Sequence, residues 1–529
     1  MVTKILSAIP LGFSGELVRV ECDMNKGLPS LSIVGLPNTT VSEARDRVRS
    51  AIVNSGFVFP ARKITINLAP AEIKKEGTGL DLPIAIAILA GSGQIEKMAK
   101  EVFKEKAQKS PENDAFKGSR SVCLTKKLSK MLFAGELSLN GEICAIPGVI
   151  NAVEIARSTG IETVYVPPES LPYAKLVKGI EIRSTNNLRE LILSIVDEES
   201  DCVANDTTLR LTPALQGEHV IFDNVHGQIQ AKRALIIAIA GRHNILLSGP
   251  PGTGKTMLAR AAHSLLPPLD DEELIDVVKI RGLVSATTLI TAERPFRAPH
   301  HSASAASLVG GGSRATPGEI SLAHHGVLFL DEFPEFPRNL IEALRQPLED
   351  RTVTVSRANC KLSYPANFML IATENPCPCG FLGDPDRECS CSPIQIASYS
   401  KKISGPILDR FDMRVRVERV KTRELAISPH SSTRHEHETA QKQIERALAR
   451  QRARGIGNSE IASRDMGELC RIEESGLELL RGAADKLSLS MRSYFKIQRV
   501  ARTIADIENS EKVEVAHVAE ALQYRKESR

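Results

Sequence analysis

Hydrophobic positions follow two rhythms along residues 1–195. Short β-branched runs such as LVRVEC, LSIVGL, KITINLA and TVYVP predict strands, whereas SEARDRVRSAIVNSG, DLPIAIAILAG and INAVEIARSTG have the length and spacing of helices. The alternation predicts an α/β or α+β domain. Inside it, KEKAQKSPENDAFKGSRS (104–121) mixes charges with proline and glycine and predicts an exposed insertion. VDEESDCVANDTT opens a polar linker, placed at 196–215. Across 216–425 the strand signals HNILLS, GVLFLD and FMLIAT recur between helical segments, the pattern of a mostly parallel sheet covered by helices. They stop after Thr422, so 426–529 is expected to be helical.

A length of 529 residues exceeds one compact core and agrees with this division. Hydrophobic residues at 42% and charged residues at 25% describe a chain that folds and stays in solution. Pro10 and Glu16 interrupt any signal-peptide core, and no run approaches the roughly 18 apolar residues of a membrane helix, so no membrane partner and a cytoplasmic location are expected. Ten cysteines are too sparse for a disulfide scaffold. The formal charge of +4 does not by itself mark a nucleic-acid binder, which leaves that question to local patches.

The segment HNILLSGPPGTGKTMLARAAHSLLPP carries G-x-x-x-x-G-K-T after an apolar strand and before a helix that Pro267 and Pro268 stop. In such a loop Gly249, Pro250, Pro251, Gly252, Thr253 and Gly254 turn backbone N–H groups toward phosphates. Lys255 then reaches the β and γ oxygens, and Thr256 ligates Mg2+. Further on, GVLFLDE ends a buried strand in Asp331, a second Mg2+ ligand through water, and Glu332, placed to polarise an attacking water. NFMLIATENP ends in Asn375, where a γ-phosphate sensor would sit. LDRFD presents Arg410, either a salt-bridged surface residue or a finger for a neighbouring subunit's γ-phosphate. ATP and Mg2+ are the expected ligands.

With VHGQIQAKRALIIAIAGRHNILLSGPPGTGKT, RPFRAPHHSAS, GEISLAHHGVLFLDE, ATENPCPCG, SGPILDRFD and MRSYFKIQRVARTIADIE added, the chain resembles the magnesium-chelatase-like AAA+ ATPases of the ComM/YifB family over nearly its whole length. The resemblance implies an α/β multidomain protein with a P-loop AAA+ core and a helical C-terminal lid. It implies a homo-oligomer, a hexameric ring, with Arg410 as the trans finger, Asn375 as first sensor and Arg492 in the lid as second. It sets Val225, His226, Gly227 and Gln228 either near the adenine or in a packed loop. Glu374 departs from the smaller or apolar residue expected before the sensor.

NLAPAEIKKEGTGLDLPIAIAIL and FAGELSLNGEICAIPGV in the first domain are similar to the Lon-protease/S5-like α+β fold. A Ser–Lys protease needs a hydroxyl beside a base. Gly79 occupies the nucleophile's place and Ile150 the lysine's, so proteolysis is not expected, and the domain is expected to be a binding or assembly platform for a protein partner. The resemblance also implies a motor that translocates on DNA and promotes branch migration or unwinding in recombination or natural transformation. The alternative is an ATPase that remodels a protein or metal-inserting partner without DNA.

Cys377, Cys379, Cys389 and Cys391 form C-x-C-x9-C-x-C in a loop poor in core-forming residues; they are either a structural Zn2+ site or four unligated thiols. His300–His301 and His324–His325 are not expected to chelate, because adjacent side chains on one element point apart. TVTVSRANCKLSY (352–364) predicts a β-hairpin centred on Arg357-Ala-Asn359, with Arg357 and Lys361 as candidate DNA-backbone contacts or a solvated hairpin. Arg446, Arg450, Arg452 and Arg454 lie on one predicted helix, solvated or lending affinity for nucleic acid.

Overall fold

A computed structural model describes residues 2–36, 38–75, 77–109, 124, 126–197, 220–287, 290–312, 315–357, 360–420 and 435–525. The first domain is built on a seven-stranded sheet in the order Ser30–Val34, Lys63–Ala69, Ser14–Asn25, Thr3–Leu11, Met131–Phe133, Thr163–Val166, Glu181–Ser184. Thr3–Leu11 and Ser14–Asn25 pair antiparallel through a tight turn at Gly12, whose φ of 62° favours glycine. The helix Asp81–Gly91 has no polar face because Asp81 through Leu89 are all buried. Asp81 within it is answered by a bidentate Arg47, with contacts of 2.8 and 3.0 Å. Part of the predicted insertion is helical, since Gln94–Lys109 runs into it; residues 110–123, like 198–215 of the predicted linker and 216–219 after it, lie outside the described residues.

The second sheet has five parallel strands ordered Phe296–Arg297, Val327–Leu330, Met369–Glu374, Ile245–Ser248, Met413–Arg416. The strand that leads into the glycine-rich loop therefore lies between two strands that follow it in the chain. The strand ending in Asn375 sits between it and the strand ending at the acidic pair. All three are apolar and buried, as strands covered on both faces must be. Thr352–Arg357 and Cys360–Pro365 form the predicted hairpin; residues 358 and 359 lie outside the described residues.

The first domain packs on this core through one helix of each. Asp271–Val284, capped by Asp270 and Glu273, buries Leu274, Val277 and Val278 in the same apolar cluster as Val149, Val153 and Ala156 of Val149–Ser158. Lys279 pairs with Glu154 and lies 4.1 Å from the Phe13 ring centroid, and the Gly148 N–H donates to Gly282 O at 3.0 Å.

The C-terminal region comprises Glu436–Arg454, Glu474–Leu487, Met491–Ile507 and Val515–Gln523 with shorter segments between. Its polar keystone is Asp506, 0% exposed. The carboxylate accepts from Arg502 at 3.0 Å, Asn458 at 2.9 Å and Arg454 at 2.8 Å. This corrects the reading of the basic helix. Arg454 closes on Asp506, Arg450 donates to Asn509 at 2.6 Å and Arg446 to Ile507 O at 3.5 Å, so three of its arginines tie helices together. Arg450 and Arg454 are half-buried, whereas Arg446 and Arg452 are exposed. Replacing Asp506 by Ala leaves Arg502 buried without its anion, and is expected to destabilise this region by about 3–5 kcal/mol. Urea unfolding followed by limited proteolysis of the helical region checks this; an unchanged midpoint would contradict it.

Candidate nucleotide site

The loop after Ile245–Ser248 turns sharply because its glycines permit it. Gly252 and Gly254 have φ of 79° and 84°, and a Cβ on Gly249 would lie 2.2 Å from Val417 O, so the backbones approach too closely for any side chain. Gly254 is the N-cap of Lys255–His263, which aims the helix N-terminus into the loop. The Thr253 hydroxyl donates to Pro250 O at 3.0 Å and closes the turn.

Lys255, 9% exposed, folds back into the loop. Its Nζ donates to Gly249 O at 2.6 Å, Pro250 O at 2.9 Å and Asn375 Oδ1 at 3.1 Å. Burial lowers its pKa, against the opposing field of Asp331, Glu332 and Glu374. The Thr256 hydroxyl donates to Asp331 Oδ2 at 2.8 Å, bringing together two oxygens of the kind that hold Mg2+. Lys255, Thr256, Asp331, Glu332 and Asn375, with Gly249 to Gly254, form one site at the carboxyl ends of the central strands, where open α/β sheets bind ligands.

Thr373, which sequence reasoning did not single out, organises the acidic pair. Its hydroxyl donates to Asp331 Oδ1 at 2.5 Å and accepts the Glu332 N–H at 2.9 Å. A fully buried hydroxyl ending the apolar run FMLIAT is the signal that marks it. Glu332 takes a left-handed conformation, φ 51°, which turns its exposed carboxylate off the strand. His301, considered from the sequence only as a metal ligand, instead approaches the acidic pair: its Nδ1 lies 4.0 Å from Glu332 Oε2. The unusual Glu374 leaves Asn375 facing Lys255, because its own carboxyl points toward Ser248; burial raises its pKa against that hydrogen bond.

Val225 is buried in the core, while the Gln228 amide donates to Thr253 O at 3.3 Å and Glu418 O at 2.6 Å. Gln228 thus touches the phosphate loop, and Gly227 rests on Val420. His226 is exposed.

Arg410 and Arg492 are not part of this pocket. The Asp412 N–H donates to Asn244 O at 2.8 Å, which places LDRFD at the amino end of Ile245–Ser248. The phosphate loop leaves the other end, about 13 Å away for a strand of this length. The two arginines meet on one carboxylate: Arg410 Nη2 is 2.7 Å from Glu349 Oε2 and Arg492 pairs with Oε1. Arg242, Lys496 and Arg499 line the same cleft of about 420 Å3.

His324 and His325 overturn the expectation that neighbours diverge. The left-handed His325, φ 57°, brings the ring centroids to 3.9 Å, and both Nε2 atoms face Asp276 Oδ2 at 3.8 and 3.5 Å. Metal binding still does not follow. His324 Nδ1 accepts the Asn367 N–H at 2.9 Å, so the neutral ring carries its proton on Nε2, the atom turned to Asp276. Burial opposes a charged His325, but hydrogen bonds with Asp276 and Glu273 outweigh it and raise its pKa. His300 Nδ1 instead meets Ser302 Oγ at 2.8 Å.

The four cysteine sulfurs lie within 4.8 Å of one another, with separations of 3.4, 3.6 and 3.5 Å among Cys377, Cys379 and Cys389. A tetrahedral zinc with Zn–S of about 2.3 Å requires S···S edges of about 3.8 Å, so the cluster is compatible with such an ion. Lys361 on the hairpin is exposed, and the Arg357 side chain lies outside the described residues. In the first domain Gly79 abuts Ile146, with a Cβ there falling 2.9 Å from Ile146 Cδ1, and Ile150 is buried. Among the described residues no helix is long and apolar enough to cross a membrane.

Comparison with known proteins matches three stretches of the chain. Residues 221–425 match the family described as magnesium chelatase, subunit ChlI; residues 20–106 match subunit ChlI of Mg-chelatase; residues 434–525 match the ChlI C-terminal family. The uncharacterized protein YifB of Escherichia coli (strain K12) is 39% identical over 520 residues, covering 97% of this chain and 95% of that protein. The competence protein ComM of Haemophilus influenzae is 38% identical over 533 residues, covering 98% and 97%. The magnesium-chelatase 67 kDa subunit of Heliobacterium mobile is 29% identical over 190 residues, 30% of this chain and 28% of that protein. Full-length identity to YifB and ComM and a core of the ChlI type agree with the parallel sheet and phosphate loop: the chain belongs to the magnesium-chelatase-like AAA+ family of ComM and YifB.

Proposed function

We propose that the protein is an ATP-hydrolysing motor that works as a ring of identical subunits on DNA, with a structural zinc in its cysteine cluster. The observation that carries the hydrolytic part is the convergence of Lys255, Thr256, Asp331 and Asn375 at one end of the sheet, with Glu332 turned outward beside them. Lys255 binds the β and γ phosphates, and Asn375 fixes the terminal phosphoryl group from the other side. Glu332 orients the attacking water and draws its proton. Thr256 and Asp331 would hold Mg2+, which when bound neutralises phosphate charge.

Ring assembly is supported by Arg410 and Arg492. They lie at the opposite end of the sheet from their own phosphate loop, so any phosphate they reach belongs to a neighbour. A trans finger of this kind is worth about 10^3–10^5 in rate. For DNA as the track, the support is the full-length similarity to a protein named for competence and a hairpin that exposes Lys361. We read the first domain as Lon-like without its dyad, and as a docking platform. The second reading, remodelling of a protein partner, draws on the similarity to a magnesium-chelatase subunit.

Lys255→Ala is expected to abolish nucleotide binding, and Glu332→Gln to retain it while lowering kcat about 10^2–10^4-fold; fluorescent-nucleotide titration and phosphate release separate the two. Branched or single-stranded DNA should stimulate the wild-type ATPase at low salt and lose that effect as salt rises. Stimulation by a protein partner with none by any DNA would establish the second reading instead. Arg410→Ala subunits should be inactive alone yet regain turnover when mixed with Lys255→Ala subunits, because the mixture restores interfaces with an intact loop facing an intact arginine. Mixing that restores nothing would place Arg410 outside the shared site.

A further inference from the structure

The cysteine cluster sits where it can control the nucleotide pocket. Its first ligand, Cys377, is two residues beyond Asn375 and completely buried. The loop then runs over the phosphate loop: Gly380, φ 84°, lies so close that a Cβ there would be 2.6 Å from Pro251 Cδ. It next crosses to the strand on the far side, where Arg416 Nη2 donates to Gly383 O at 2.8 Å. The loop therefore starts on one neighbour of the Ile245–Ser248 strand and is strapped to the other. The only large apolar side chains between Pro376 and Ser392 are Phe381 and Leu382, and Leu382 is 38% exposed. The sulfurs are too far apart for a disulfide, which needs about 2.05 Å, and three of them stand near the edge length of a metal tetrahedron.

We propose that the four cysteines hold a Zn2+ clamp that fixes the roof of the phosphate loop and the direction of Asn375, making ATP turnover depend on zinc occupancy. The proposal rests on reading the cluster as a zinc site. Four thiolates at one ion replace the apolar core that this loop lacks. Once Cys377 is fixed, Pro376 leaves Asn375 little freedom, and its Oδ1 is held 3.1 Å from Lys255 Nζ. Loss of the ion frees Cys377, and a misplacement of about 1 Å at the sensor is enough to cost about a hundredfold in rate. Asn375 is the catalytic contact; the cysteines act as positioning residues.

Full-length protein purified without chelators is the material for the test. Elemental analysis should find one zinc per chain, and protein reconstituted with Co2+ should show the intense visible bands of a tetrahedral thiolate site. Adding ADP should shift those bands, which a metal site remote from the pocket would not do. Cys389→Ser/Cys391→Ser protein that keeps its helical circular dichroism should contain no zinc and turn over ATP about a hundredfold more slowly. Gly380→Ala, which keeps all four thiols but collides with Pro251, should retain zinc and bind fluorescent ADP more weakly; it decides the matter if the double variant does not fold. Absence of zinc and of the Co2+ spectrum overturns the metal site and the clamp with it. Zinc that is present while ADP leaves the Co2+ bands unmoved, or while the zinc-free variant keeps the wild-type rate, overturns the clamp and leaves the zinc site standing. Because the spectral shift needs nucleotide binding only, it remains decisive if the wild-type protein binds ATP without hydrolysing it.

Discussion

The burial of the Lys255 ammonium is the constraint around which the core is arranged. It is held by two backbone carbonyls and one side-chain amide, and among the described residues it makes no ion pair. A desolvated cation hydrogen-bonded only to dipoles is expensive, and burial lowers its pKa despite the field of Asp331, Glu332 and Glu374. The nearby carboxylate is engaged elsewhere, since Asp331 takes hydroxyl hydrogen bonds from Thr256 and Thr373. In the proposed mechanism that charge is thereby left for the phosphates of ATP. The sheet order serves the same end, because inserting Met369–Glu374 beside the loop strand is what carries Thr373 to the acidic pair and Asn375 to the lysine.

The sheet also separates the chemistry into two halves. Its carboxyl edge gathers Lys255, Thr256, Asp331 and Asn375, and its amino edge gathers Arg410 and Arg492 on Glu349. In the proposed ring Glu349 acts as a stand-in anion that keeps two guanidinium groups together and oriented until a neighbour's phosphate competes for them. Lys496 reinforces the position: it donates to Arg410 O at 2.8 Å and pairs with Asp412 at 2.9 Å, tying the C-terminal helices to LDRFD.

Outside the pocket, several charged side chains hold parts of the molecule together. Lys279 and Glu154 join the first domain to the core, and Arg446, Arg450 and Arg454 join lid helices. Asp271–Val284 and the first domain thereby share one packed apolar interface.

Local chemistry was legible in the sequence wherever neighbours in the chain decide it. The glycines of 249–254, the strand-ending Asp331 and Glu332, Asn375 and the hairpin at 352–365 all follow from backbone preferences and spacing within a few residues. Other features were not legible because they join residues far apart in the chain: Thr373 beneath Asp331, Glu349 between Arg410 and Arg492, and Arg454 turned inward to Asp506. The histidine pair shows the difference within a single dipeptide. Periodicity says that His324 and His325 diverge, but one left-handed residue folds both rings onto Asp276, and only the packing of Asp271–Val284 against that turn supplies the carboxylate that meets them. By itself, then, the sequence determined the phosphate loop, the acidic pair and the family. Tertiary structure alone decided which charges face one another, because electrostatic partnership depends on distance through space rather than distance along the chain.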